Sequence, residues 1–118
     1  MSRACPGLNV SDMNTTLQWY KDFLGFECTF KVPNESVPPY AIVSKGDVSI
    51  HLSLDKSGSL AGTGFCYIET DDIDTVFQEL DDAGVIFTRG LEDSSYGMRD
   101  FVFKDYEGNS ISFGQVNE

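Results

Sequence analysis

Apolar and polar positions alternate through most of this chain, and twice the alternation gives way to a helical spacing. Ala4 to Val10 is short and mostly apolar and runs into Ser11-Asp12, where either side chain suits the first free amides of a helix. From Met13 to Leu24 the large residues Met13, Leu17, Trp19, Tyr20, Phe23 and Leu24 recur near three- and four-residue spacings, and Gly25 supplies a left-handed stop. Strands are predicted next over Phe26–Val32, Tyr40–Ser44 and Val48–Leu54, parted by Pro33-Asn34, Pro38-Pro39 and Lys45-Gly46-Asp47.

The second half repeats this order. Gly64–Thr70 reads as a strand and Asp71-Asp72 as the capping pair. Ile73–Ala83 reads as a helix with Ile73, Val76, Phe77 and Leu80 on one stripe, ended by Gly84. Val85–Thr88, Met98–Phe103 and Asn109–Gln115 complete three further strands, and Arg89–Gly97 is left as a long irregular loop. Val10–Asn14 matches Thr70–Asp74 at an offset of 60, and Ile50-His51-Leu52 matches Ile111-Ser112-Phe113 at 61, so the order βαβββ occurs twice. The predicted fold class is α+β: one domain, 1–118, of two modules (about 4–55 and 64–116) whose curved mixed sheets form a cup-shaped groove. Residues 56–63 between them have the composition of a flexible linker.

Strand alternation divides each sheet into a helix-facing side and a cup-facing side. Val48, Ile50, Leu52 and Leu54 belong against a helix, which leaves Ser49, His51 and Ser53 on the cup. By the same phase Cys5, Gly7 and Asn9 face the cup in the first strand, and Phe65, Tyr67 and Glu69 in the fifth. Met98, Asp100 and Val102 join them if Phe101 and Phe103 enter the core, as do Ser110, Ser112 and Gly114 in the last strand. Tyr40, Tyr67, Tyr96 and Met98 therefore lie where flat, polarizable groups can stack on a planar ligand. Trp19, Tyr20 and Phe23, at helical spacing, read as core or dimer contacts.

Charge narrows the partners. Eight Lys plus Arg against nineteen Asp plus Glu give a net charge of −11, which disfavours nucleic acid and anionic membrane surfaces and weakly favours a cationic ligand. No run approaches the ~18 apolar residues that span a bilayer. The first seven residues lack the features of a secretory signal, so the expected location is cytoplasmic. Cys5, Cys28 and Cys66 form an odd, widely spaced set that suggests neither a disulfide framework nor a zinc motif, and they read as reduced, mostly buried thiols.

Few catalytic constellations are open to this chain. No Gly-rich phosphate loop or nucleophile elbow occurs, and any imidazole chemistry must use His51, the one histidine. A histidine on the polar face of a strand is more often a wall residue than a catalyst. Cys5 has only Arg3 nearby to lower its pKa and reads as a packed thiol. Arg99 beside Asp100 reads as a salt bridge pinning the adjacent loop, and Asp71, Asp72, Asp74, Asp81 and Asp82 as helix-start and solvent-face acids.

The motifs so placed resemble those of the glyoxalase/bleomycin resistance protein/dioxygenase superfamily, the vicinal oxygen chelate proteins. Val10-Ser11-Asp12 with Trp19–Phe26 is similar to its first strand–helix signature. Tyr96–Phe101 with Asp105–Gln115 is similar to its C-terminal signature, most of all in bleomycin-resistance-like members, and the resemblance covers essentially the whole chain. It implies the cup-shaped fold and a homodimer. Metal-dependent members carry ligands on the first and fourth strands of each module, positions that here hold Cys5, Phe65, His51 and Ser112. Only His51 is a conventional ligand, and a catalytic ion normally needs about three protein donors.

The expected function is accordingly that of a metal-free, cofactor-free homodimeric binding protein that sequesters a planar aromatic molecule, cationic or neutral, rather than transforming it. His51, Tyr40, Phe65, Tyr67, Tyr96, Met98, Asp100, Val102, Ser112 and Cys5 are the expected ligand contacts, with no catalytic residue assigned. The rival reading is a metal-dependent lyase or dioxygenase with an atypical Cys5/His51 centre. A third treats the groove as vestigial in a partner-binding subunit.

Overall fold

The computed structural model describes residues 2–117, so the bounds 1–118 reach one residue beyond it at either end. The elements run β1 (Gly7–Val10), α1 (Met13–Trp19) continued by a π-helical turn (Tyr20–Leu24), β2 (Glu27–Lys31), β3 (Tyr40–Lys45) and β4 (Val48–Leu54). Then come β5 (Phe65–Glu69), α2 (Ile73–Asp82), β6 (Phe87–Asp93), β7 (Met98–Lys104) and β8 (Ser110–Val116). Asp12 and Asp72 cap the two helices by accepting from the amides of Thr15 and Thr75 at 3.2 and 3.3 Å. Gly25 and Gly84, at φ +71° and +95°, end the helical segments as predicted.

Each half builds its own four-stranded mixed sheet, in the orders β1-β4-β3-β2 and β5-β8-β7-β6. The first and fourth strands of each half pair in parallel, as strands separated by a helical crossover can. The helix-facing residues of both sheets enter one interior: Leu8, Val10, Ile50 and Leu52 from the first, and Ile68, Phe101, Phe103 and Ile111 from the second. Phe101 and Phe103 stack on Phe113 at 5.8 and 6.3 Å, and Phe87 meets Phe101 edge-on at 5.3 Å. Such pairs contribute about 0.5–1.5 kcal/mol each beyond area burial.

Polar groups tie the halves together. The buried Tyr20 hydroxyl donates to Asp105 at 2.6 Å, and Asn109 Nδ2 donates to the Asn9 carbonyl at 3.1 Å. Glu107, in the turn before β8, accepts from the amides of Ser11 and Asp12 just ahead of α1.

Four expectations are corrected. The sixth strand is longer and later than Val85–Thr88: it runs to Asp93, so Arg89–Asp93 is strand and only residues 94–97 turn. The reason is two bulges, between Phe87 and Arg89 and between Arg89 and Glu92, which break the alternation read from the sequence. Residues 56–63 are not slack, because Asp55 accepts from Ser57 N, Ser57 Oγ and Leu60 N at 3.2, 2.7 and 2.7 Å, and Gly62 N reaches the Asn9 carbonyl. Arg99 pairs with Asp74 and Asp93 at 3.1 and 3.2 Å rather than with its neighbour Asp100, which points to the opposite face of β7. Of the three free thiols only Cys66 is buried; Cys5 is half-buried and Cys28 exposed.

Candidate functional site

The face of the second sheet turned away from the helices carries a compact aromatic and ionic group. Register sets Tyr67, Ser112, Val102 and Arg89 in one row across β5, β8, β7 and β6. The next row holds Glu69, Gly114, Asp100 and Glu92. Because Gly114 has no side chain, the Tyr67 ring leans across β8, and its hydroxyl donates to Asp100 Oδ2 at 2.9 Å. Tyr96, from the turn before β7, donates to the same oxygen at 2.7 Å. Arg89 Nη2 binds the other carboxylate oxygen at 2.6 Å, and Nη1 reaches the Asp100 carbonyl at 3.1 Å.

Asp100 is therefore the hub. Its side chain is 1% exposed while the rings of Tyr67 and Tyr96 remain 38% and 67% exposed as residues, and Phe65 beside them is 63% exposed. Burial pushes the Asp100 carboxyl up, but the bonds from Tyr96, Arg89 and Tyr67 outweigh it and hold the group below the usual carboxylate range. Tyr67 is pushed above the normal phenol range by burial and by its bond to Asp100. Both hydroxyls are committed as donors and the arginine is neutralised, so the face offers fixed ring surfaces with the exposed Glu69 carboxylate beside them.

Asp100 and Ser112, two of the expected ligand contacts, are covered, at 1% and 6% exposure. Tyr67 lies across this face and leaves Asp100 to act through the rings it holds. Val102 and Met98 are half-buried on β7. Arg89 is the member that sequence reasoning missed. With strict alternation it would share the face of Phe87, which packs in the core, and the bulge at Thr88 turns it to the other side.

The first sheet's corresponding face is polar. The Tyr40 hydroxyl hydrogen-bonds His51 Nδ1, with the two rings edge-on at 5.6 Å. Ser44 bridges Ser49 and Thr29 at 2.8 and 3.1 Å. Gly7 rather than Cys5 stands opposite His51, and Cys5 lies two residues ahead of β1. No hydrogen bond among the described residues joins this set to the Asp100 group.

A family model described as the Glyoxalase/Bleomycin resistance protein/Dioxygenase superfamily matches residues 4–113. The chain belongs to this superfamily. Within it, the chain is 29% identical to a bleomycin resistance protein of Geobacillus stearothermophilus, over 98% of this chain and 97% of that one. The bleomycin-binding protein of bleomycin-producing Streptomyces verticillus, solved with copper(II)-bleomycin, superposes at TM-score 0.81 with 27% identity, covering 100% of this chain and 98% of that one. A bleomycin-binding protein complexed with bleomycin superposes at TM-score 0.83 over 100% of both chains; at 21% identity that likeness speaks to the fold. The resistance protein and the Streptomyces verticillus protein make the chain a bleomycin-resistance-like member of the superfamily.

The ion held by metal-dependent superfamily members does not suit these residues. Among the described residues no three His, Cys, Asp or Glu side chains stand together as a metal site, Phe65 offers no donor, and Ser112 offers only a neutral hydroxyl. No helix among the described residues is long and apolar enough to cross a membrane.

Proposed function

We propose that the protein is a binding protein of the cytoplasm that sequesters a planar aromatic antibiotic of the bleomycin type and releases it chemically unchanged. The ligand would lie against Tyr67, Tyr96 and Phe65, in a groove completed by the Tyr40–His51 face of a second copy in a homodimer. The observation that carries this reading is the buried Asp100 carboxylate, which fixes two partly exposed tyrosine rings through bonds of 2.9 and 2.7 Å. Rings fixed in advance lose little freedom when a ligand stacks on them, which favours affinity. The net charge of −11 assists the approach of a cationic drug. A bleomycin resistance protein and a protein that binds bleomycin, each matched over nearly its full extent, support the same reading.

The test is calorimetric titration with metal-free and copper-loaded bleomycin, with chromatography of the recovered drug and sedimentation of the free protein. Saturable binding by a dimer, a melting temperature that rises with drug concentration and intact recovered drug are expected. Tyr96→Ala is expected to weaken binding about tenfold, near the upper value of one aromatic contact. Binding unaffected by Tyr67→Ala and Tyr96→Ala, or conversion of the drug, would overturn the reading.

A further inference from the structure

The duplicated halves differ at one matching pair of turns. Between the paired Lys104 and Ser110 the chain turns through Asp105–Asn109, whereas between the paired Lys45 and Val48 it turns through Gly46 and Asp47 alone. The longer turn carries Glu107 onto the start of α1. There its carboxylate accepts from Ser11 N, Ser11 Oγ and Asp12 N at 2.9, 2.8 and 2.8 Å, and from Thr16 Oγ1 at 3.4 Å. The shorter turn supplies no such side chain to the start of α2. A cleft of about 810 Å³ remains there, between the β3–β4 turn of the first half and β5, α2 and β8 of the second.

Its lining is the chemical opposite of the filled counterpart. At the sixty-residue offset, Ser11 and Thr16, which donate to Glu107, correspond to Asp71 and Val76. A pair of hydroxyls has become a carboxylate and an isopropyl group. Asp47 and Glu79 add carboxylates to the rim, and the rim cation Lys45 is engaged by Glu79 at 3.6 Å and by the Leu24 carbonyl at 3.4 Å. The floor is apolar, with Leu24, Phe26, Leu80 and Phe113.

We propose that this inter-half cleft is a second binding site, separate from the tyrosine face, for a bulky organic cation of the quaternary ammonium or phosphonium kind. Its volume falls in the range of about 300–1,000 Å³ typical of small-molecule sites. An apolar body fills the floor, and a weakly hydrated charge lies among the rim carboxylates. An anion of the same shape meets an excess of negative charge, and a neutral molecule desolvates the rim without compensation.

Tetraphenylphosphonium and tetraphenylborate, alike in shape and opposite in charge, test this by calorimetry and amide chemical-shift mapping. The phosphonium is expected to bind saturably, with shifts at Val48, Thr70 and Val76, and the borate at least tenfold more weakly. Val76→Trp, which occupies the cleft, is expected to cost at least tenfold in affinity. Asp47→Asn and Asp71→Asn, on exposed rim positions that leave folding intact, should each cost about threefold, the effect of one screened unit charge. Lys45→Gln should tighten binding by a similar factor, and Tyr67→Ala should leave it unchanged. No saturable binding, equal binding of the borate, indifference to the rim variants or loss in Tyr67→Ala would each overturn the proposal. So would a Val76→Trp variant that alters subunit association instead of affinity.

Discussion

A β-carbon at position 114 would occupy the space taken by the hydroxyl of Tyr67. The two residues lie on neighbouring strands, and the absence of a side chain on one is what lets the ring of the other lean across β8 to Asp100.

Gly114→Ala should therefore act on the tyrosine rather than on the fold. The obstructed atom is the far end of a side chain that can swing outward, so the melting temperature is expected to fall by only a few degrees, about 1 kcal/mol for one lost hydrogen bond. Affinity for an aromatic ligand is expected to fall about as far as in Tyr67→Ala. Thermal melts and titration of both variants check this, and an alanine variant with undiminished affinity would show that Tyr67 does not need its bond to Asp100.

Asp100→Asn leaves Arg89 with only the exposed Glu92, 3.2 Å away, as a charged partner. Breaking such a pair costs about 3–5 kcal/mol when both ions are buried, and Arg89 is 35% exposed, so about 2 kcal/mol is expected from urea unfolding. Removing the arginine charge as well, in Asp100→Asn with Arg89→Met, should recover part of the loss. A double variant less stable than the sum of the two singles would contradict the pairing.

Acid should loosen the molecule through Glu107. Burial pushes its carboxyl up, but the bonds from the Ser11 amide and hydroxyl, the Asp12 amide and Thr16 outweigh it and hold it below the usual carboxylate range. The folded state thus binds fewer protons than the unfolded chain in acid. The stability this supplies is fully present above the unfolded carboxylate value of about 4.3 and disappears as pH falls through the lower folded value. Urea unfolding followed from pH 7 to pH 3 should show a shallower acid decline in Glu107→Gln than in the parent, together with a lower plateau near neutrality.

The architecture was legible because its signals are local and occur twice. Asp12 and Asp72 cap, Gly25 and Gly84 stop, and the alternation over Val48–Leu54 coincides with β4. The phase of β7 and β8 also placed Asp100, Ser112 and Gly114 on the correct face, but phase says nothing of depth, and it could not show that Tyr67 covers Asp100. Arg89 was hidden by a bulge, which reverses every later side chain of a strand without any mark in composition. Glu107 was hidden by distance, since its partners Ser11 and Asp12 lie at the other end of the chain.

That distance bears on how the molecule comes into being. While the chain emerges from the ribosome, α1 is released long before residue 107, and until then the amides of Ser11 and Asp12 just ahead of it lack the carboxylate that receives them in the folded molecule. The first half must wait in an unfinished form, and a chain broken off before the last hairpin leaves the entry to α1 unanchored and open to proteolysis.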